Sequence, residues 1–268
     1  QPAASGHIRA LEKSLGVQLL ERTRRGVLPS SAGEVVYHRA LRIFAELEDL
    51  KSLSQRHSTV RVVASTMPGA YWLPDRLREF REHFPLVFAA LSICDSVRSV
   101  RAVLDFECTL AVVGEVPQLS HPDLYRVEVA QDELALVARP ENPVLDRTAL
   151  EGEDFGGQPL GRRELGSSTR SQSDSMLAPY LGYFAHVLEF PSAEAVREAV
   201  LAGLGVAVVS SWSVARELKS GLLCRAVDPH LRRSRSFFLV RRRDRPAFGP
   251  AALLWDFLAS AAPAAVGS

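Results

Sequence analysis

Near the start of this chain, apolar residues recur at Ala4, Ile8, Leu11 and Leu15, steps of four, three and four that line one face of a helix. The opposite face presents Gln1, Ser5, Arg9 and Lys13, and Pro2 sets the helix start. Gly16 follows the last periodic position, where positive φ can end a helix. VQLLER and TRRG then read as a short strand and a basic turn, followed by VLPS. A new helix opens at Ser30 or Ser31, since Ser31-x-x-Glu34 has capping-box form, and it runs without proline to about His57. Its apolar positions Val36, Ala40, Ile43, Leu47 and Leu50 step by four, three, four and three, as a coiled-coil seam does. At that length the helix reaches roughly 40 Å. The same pattern also suits an amphipathic helix lying on its own domain.

After the polar stretch QRHS the pattern changes to short apolar runs alternating with amphipathic ones. Strands are expected at 60–65, 86–93, 108–114 and 132–140, with a turn at 67–69 and helices at 71–84 and from Ser96 to about Leu104. A second set follows, with strands at 158–161, 186–190, 206–210 and 235–242. Its helices open within 166–170 and cover 192–203, 213–221 and 248–260. Alternating strands and helices predict a parallel sheet covered on its faces, an α/β fold. Two such modules, one inserted in the other, leave a crevice between them.

Composition changes this picture little. The 268 residues carry a formal net charge of +1, so net charge does not by itself mark the chain as a polyanion binder. The charge is local: Arg9, Lys13, Arg22, Arg24 and Arg25 stand against Glu12 and Glu21. Cys94, Cys108 and Cys224 lie far apart without a CxxC, which fits a reducing compartment and neither disulfides nor a zinc site. Cys108 and Cys224 read as buried packing residues, and Cys94 as a strand-end thiol near the crevice. The longest uncharged run, 199–215, is interrupted by Gly203, Gly205 and the Ser210-Ser211 pair, so no membrane span is expected. The seven histidines show no metal-ligand spacing, and no GxSxG elbow occurs. Gly203-Leu-Gly205 lacks the third glycine and the strand-before-helix order of a dinucleotide loop, and is better read as a helix end and a tight turn.

A short helix, a strand and an arginine-tipped turn supply what a winged helix-turn-helix needs, one element for the major groove and one for the backbone. Gln1-Pro-Ala-Ala-Ser5, Ile8-Arg9-Ala-Leu-Glu12, Leu15-Gly16-Val17, Leu20-Glu21-Arg22-Thr23 and Ala32-Gly33-Glu34 closely resemble the recognition helix and wing of LysR-type transcriptional regulators. The likeness continues through ValAlaSerThr (63–66), TyrTrpLeuPro (71–74), GlySerSerThrArg (166–170), the stretch 192–208 and VRRRDR (240–245). It implies an effector domain with the fold of type 2 periplasmic binding proteins. It also implies two further helices and a serine ahead of Gln1, so the chain reads as lacking the family's first helices. Two departures are Gly6, where a long polar side chain is usual, and Thr109, where the family usually has Asp.

The expected organisation is a partial winged helix-turn-helix at 1–29, a linker and dimerisation helix at 30–57, and an effector domain at 58–268. Within the latter, one subdomain takes 58–135 and 238–268 and the other takes 136–237. Gln1, Pro2, Ser5 and Arg9 are expected at the base edges and Arg22, Arg24 and Arg25 at phosphates of promoter DNA. Arg22 can equally form a salt bridge with Glu12 or Glu21. A second half-site calls for a partner, hence a homodimer or homotetramer. The expected effector is a small anionic metabolite, met by Ser65, Thr66, Ser96, Ser167, Ser168, Thr169 and Ser192 at helix N-termini, with Glu115 at the crevice mouth. Ordinary N-capping explains each hydroxyl singly, and Glu115 can equally be a solvated carboxylate. The chain is therefore expected to be a cytoplasmic regulator without cofactor, metal or catalysis. The alternatives are a stand-alone solute-binding module or an enzyme on the same two-lobed fold.

Overall fold

In a computed structural model, residues 2–23, 26–52 and 58–261 are described. Helix α1 (Pro2–Leu15) carries the first apolar row, and the antiparallel pair β1 (Leu20–Thr23) and β2 (Gly26–Pro29) forms the wing. Glu12 ties the two together, its Oε1 accepting from the backbone N–H of Leu19 at 2.7 Å and of Leu20 at 3.2 Å. Ser30 rather than Ser31 caps α2 (Ser31–Ser52), accepting from Gly33 N–H at 3.0 Å while donating to the Gln18 carbonyl at 2.6 Å. The capping-box partner Glu34 is therefore not used, because Ser30 can hold the helix and the preceding loop at once. A Cβ at Gly33 would run into the Leu19 carbonyl, so α2 starts tight against the wing. With 22 residues α2 extends about 33 Å, and Ile43, Phe44, Leu47 and Leu50 along it are all exposed.

The rest of the chain is two lobes on one sheet. In order come β3 (Ser58–Ser65), α3 (Thr66–Tyr71), α4 (Leu73–His83), β4 (Val87–Cys94), α5 (Ser96–Leu104), β5 (Leu110–Gly114) and β6 (Leu124–Ala138). Then follow β7 (Pro159–Arg163), α6 (Ser168–Leu177), β8 (His186–Phe190), α7 (Ala193–Leu201), β9 (Val206–Ser210), α8 (Ala215–Ser220), β10 (Cys224–Arg225), β11 (Arg232–Arg242) and α9 (Gly249–Ser260). The strands run β4-β3-β5-β11-β6-β9-β7-β8, with the short β10 on β6. Pairing is parallel among β4, β3 and β5, and again among β9, β7 and β8. The long β6 and β11 pair antiparallel with each other along their length and join the two sets. The sheet is thus mixed rather than all-parallel.

Three local expectations change. Residues 67–69 lie in α3 instead of a turn, β6 begins at Leu124 instead of 132, and β10 had no sequence signal at two residues. The expected subdomain limits at 135 and 238 fall inside β6 and β11 rather than in loops. A β-bulge between Phe237 and Phe238 marks the second of them.

Each lobe has its own core. Val62, Leu73, Phe80, Leu110 and Leu239 with Leu254 and Leu258 of α9 fill the first lobe, which the last helix thus completes. Leu134, Phe155, Leu160, Leu177 and Val206 fill the second. Cys108 is buried, but Cys224 is only half-buried, because β10 is short and lies at the sheet margin. Among the described residues no helix is long and apolar enough to cross a membrane.

Candidate functional site

The crevice between the lobes holds a cavity of about 470 Å³. From the first lobe it is lined by Ser65, Thr66 and Met67 where β3 turns into α3, and by Asp95, Ser96 and Val97 where β4 turns into α5. From the second lobe it is lined by residues 163–169, and from the connecting strand β11 by Arg235 and Phe237. A larger hollow of about 940 Å³ lies between α2 and α5. It is an open groove in which Arg42 already pairs with Glu46, and Arg242 with Asp123 and Asp244. The convergent hydroxyls and helix starts are in the smaller cavity, and we place the site there.

Six of the eight effector residues expected from sequence line this cavity: Ser65, Thr66, Ser96, Ser167, Ser168 and Thr169. Their local duties differ from the expected ones. Ser65 does not cap α3; its Oγ accepts from Gly114 N–H at 3.3 Å and locks β3 to β5. The cap of α5 is Asp95, accepting from Arg98 N–H at 2.8 Å, which leaves Ser96 as the buried first residue of the helix. A carboxylate one residue earlier outcompetes the serine because it reaches the free N–H from extended backbone. Ser167 does cap α6, through Arg170 N–H at 3.4 Å. Glu115 and Ser192 are not among the lining residues. Glu115 is exposed beyond the end of β5, and Ser192 caps α7 by accepting from Ala195 N–H at 3.1 Å.

Two buried arginines in the cavity wall were missed from sequence. Arg235 is paired with Asp132, its strand-register partner on β6, through Nε and Nη2 at 2.9 and 2.7 Å, with side chains 4 % and 0 % exposed. Its Nη1 donates to Thr169 Oγ1 at 3.1 Å, linking the connecting strands to the start of α6. Burial pulls this guanidinium below its ordinary value and Asp132 opposes the change; it stays a cation. Its plane approaches Phe237 at 5.2 Å, and Phe237 stacks on Trp212 with centroids 5.0 Å apart. Arg163 is forked onto Glu164, whose carboxyl is held below the usual carboxylate range by that guanidinium. Neither left a clear signal: Arg235 stands between Ser234 and Ser236 in an arginine-rich stretch and Arg163 follows Arg162, so both read as solvated charges.

On the other candidate surface, Ser5 and Arg9 are exposed on α1. Gln1, Arg24 and Arg25 lie outside the described residues, as do the side chains of Pro2 and Arg22 and with them the salt bridge expected as an alternative for Arg22. Among the described residues no group of His, Cys, Asp or Glu could hold a metal ion.

Residues 54–263 match the LysR substrate binding domain family, and residues 1–34 match the lysR family of bacterial regulatory helix-turn-helix proteins. The chain is 30% identical over 246 residues to the uncharacterized HTH-type transcriptional regulator YeiE of Escherichia coli K12, covering 91% of this chain and 83% of that protein. Among solved structures it is similar to the regulatory domain of CcmR from Synechocystis PCC6803 in complex with 2-PG. The TM-score is 0.67 at 20% identity, over 76% of this chain and 97% of that one. It is also similar to full-length LysG from Corynebacterium glutamicum with bound effector Arg, with a TM-score of 0.66 at 22% identity over 98% and 88% of the two chains. These two likenesses establish the fold.

Proposed function

The chain belongs to the LysR-type transcriptional regulators, and from that premise we propose that it reads promoter DNA with α1 and its wing under the control of a small anionic metabolite held between its lobes. The observation that carries this reading is the convergence of hydroxyls from both lobes on one cavity: Ser65, Thr66 and Ser96 on one wall and Ser167, Ser168 and Thr169 on the other. A ligand touching both walls favours one arrangement of the lobes, and only such differential binding can shift a conformational equilibrium. CcmR is described with 2-PG and LysG with Arg, so small-molecule ligands in this fold agree with a cleft-bound metabolite. Glu115 and Ser192, outside the lining, are left out of the effector set.

On the DNA side the reading keeps Gln1, Pro2, Ser5 and Arg9 for the groove and Arg22, Arg24 and Arg25 for phosphates. The exposed row on α2 supports a seam between two copies over a face buried on its own domain. The working division is 1–29, 30–57 and 58–268, with the lobes exchanging along β6 and β11. Relatives named as transcriptional regulators support a cytoplasmic, non-catalytic role, and the helix-turn-helix match counts against a solute-binding module alone.

Two measurements test this. DNA should be retained at low salt and released steeply as salt rises; retention independent of salt would remove the phosphate contacts. Metabolites titrated calorimetrically should bind Ser168→Ala more weakly than wild type. Equal affinity for every metabolite that binds would remove the cavity.

A further inference from the structure

We propose that Arg163 is the cavity's receptor for one oxyanion group, a carboxylate or a phosphate, and that Glu164 occupies it as an internal competitor. The proposal rests on the cleft reading above and adds the ligand's chemical class and the exchange that admits it. Arg163 is the last residue of β7 and Glu164 the first beyond it. Glu164 N–H bonds to the Phe190 carbonyl, continuing the pairing of Arg163 with Phe190, and the turn begins only at the next residue. The carboxylate folds back and takes the guanidinium fork at both oxygens, Nε to Oε2 and Nη2 to Oε1, each 2.8 Å. That is the geometry an incoming carboxylate or phosphate would itself adopt. Two of the five N–H groups are spent in it.

Burial decides which partner is exchangeable. Arg163 is 9 % exposed and its carbonyl is clamped by Arg170 Nη1 at 2.6 Å, whereas the Glu164 side chain is 37 % exposed. The cation's backbone is held and its side chain is buried, whereas the acid stands partly in water and is the partner able to leave. Arg235 offers no such exchange, because Asp132 is fully buried against it. Arg235 is already neutralised by Asp132, so among the charged lining residues Arg163 is the cation left facing Glu164 and the exposed Asp95. Displacing Glu164 into solvent leaves room for one oxyanion in its stead.

The test titrates the full chain with sodium acetate and with inorganic phosphate, against sodium chloride at matched ionic strength, following thermal unfolding and calorimetric heat. The wild type should respond to one of these oxyanions, and which one identifies the group. Glu164→Gln should raise the apparent affinity at least about tenfold, since a charged hydrogen-bonded competitor is gone. Arg163→Gln should abolish the response. Asp95→Asn removes a charge from the same cavity without touching Arg163 and should leave the affinity within about threefold. Equal affinity in wild type and Glu164→Gln, an equal gain in Asp95→Asn, or no oxyanion response in any of the proteins overturns the proposal. A response lost in Ser168→Ala but indifferent to Arg163 and Glu164 overturns the proposal and spares the cleft. A response indifferent to all three places binding elsewhere and sinks both.

Discussion

The hydroxyl of Tyr71, at the end of α3, donates to Glu194 Oε1 across 3.0 Å, joining the first lobe to α7 of the second. Partial burial and the adjacent carboxylate push the Tyr71 phenol up to about 12, while hydrogen bonds from the backbone, Tyr71 and Ser192 hold Glu194 below its ordinary value. A phenol raised in the folded state contributes stability that is whole below its unfolded value near 10 and is lost as pH rises toward 12. Wild type should therefore lose more stability than Tyr71→Phe between pH 10 and 12 in chemical denaturation. Parallel curves for the two proteins would show that the contact does not form in solution.

Asp132 and Arg235 face each other on the strands that connect the lobes, both nearly without solvent contact. Asp132→Asn leaves the guanidinium buried beside Arg163 with its charge uncompensated, and should cost about 3–5 kcal/mol in urea unfolding. Replacing both with apolar residues of similar volume should cost much less. A small effect of the single change would mean that water reaches the pair.

Gly205 sits at φ +110°, and a Cβ there would collide with the Pro159 carbonyl at the start of β7. Gly203, at φ +82°, ends α7 in left-handed backbone. Gly205→Ala should destabilise the second lobe by about 2–4 kcal/mol, from strain and displacement of β7 together. Gly203→Ala, which meets only the flexible Arg139 side chain, should cost about 1 kcal/mol. Thermal unfolding of the two variants reads the difference, and equal losses would count against the close approach of β7.

Arg9 is exposed on the polar side of α1. Arg9→Ala should weaken binding to the preferred promoter sequence by about 1–3 kcal/mol and relax the sequence preference at one position. A uniform loss across unrelated sequences, with a shallower salt dependence, would make Arg9 a phosphate contact instead.

Much of this was legible because helices and strands write their periods into the chain. The row Ile8, Leu11 and Leu15 announces its helix by its spacing, although Leu11 and Leu15 are exposed here, and the unbroken apolar run within Val206–Ser210 announces a strand buried on both faces. Serine at a helix start was a poorer guide. Asp95 displaced Ser96, Ser30 took the cap that the sequence offered equally to Ser31, and Ser192 caps α7 and bonds to Glu194 rather than lining the cavity. Several short polar side chains can make the same bond, so the residue type does not say which neighbour wins.

From the sequence alone came the α/β alternation, the helix-and-strand start and the small hydroxyl residues at helix starts, because each is a local pattern of burial or backbone preference; that those turns meet at one crevice was what the resemblance implied. Only the folded chain decided that Asp132 meets Arg235, that Ser65 locks onto Gly114, and that Arg163 lies beside them with Glu164 in its fork. Such pairs join positions far apart in the chain, or neighbours at the end of a strand. They exist only once strand order and register bring them within bonding distance, and no periodicity along the chain encodes that.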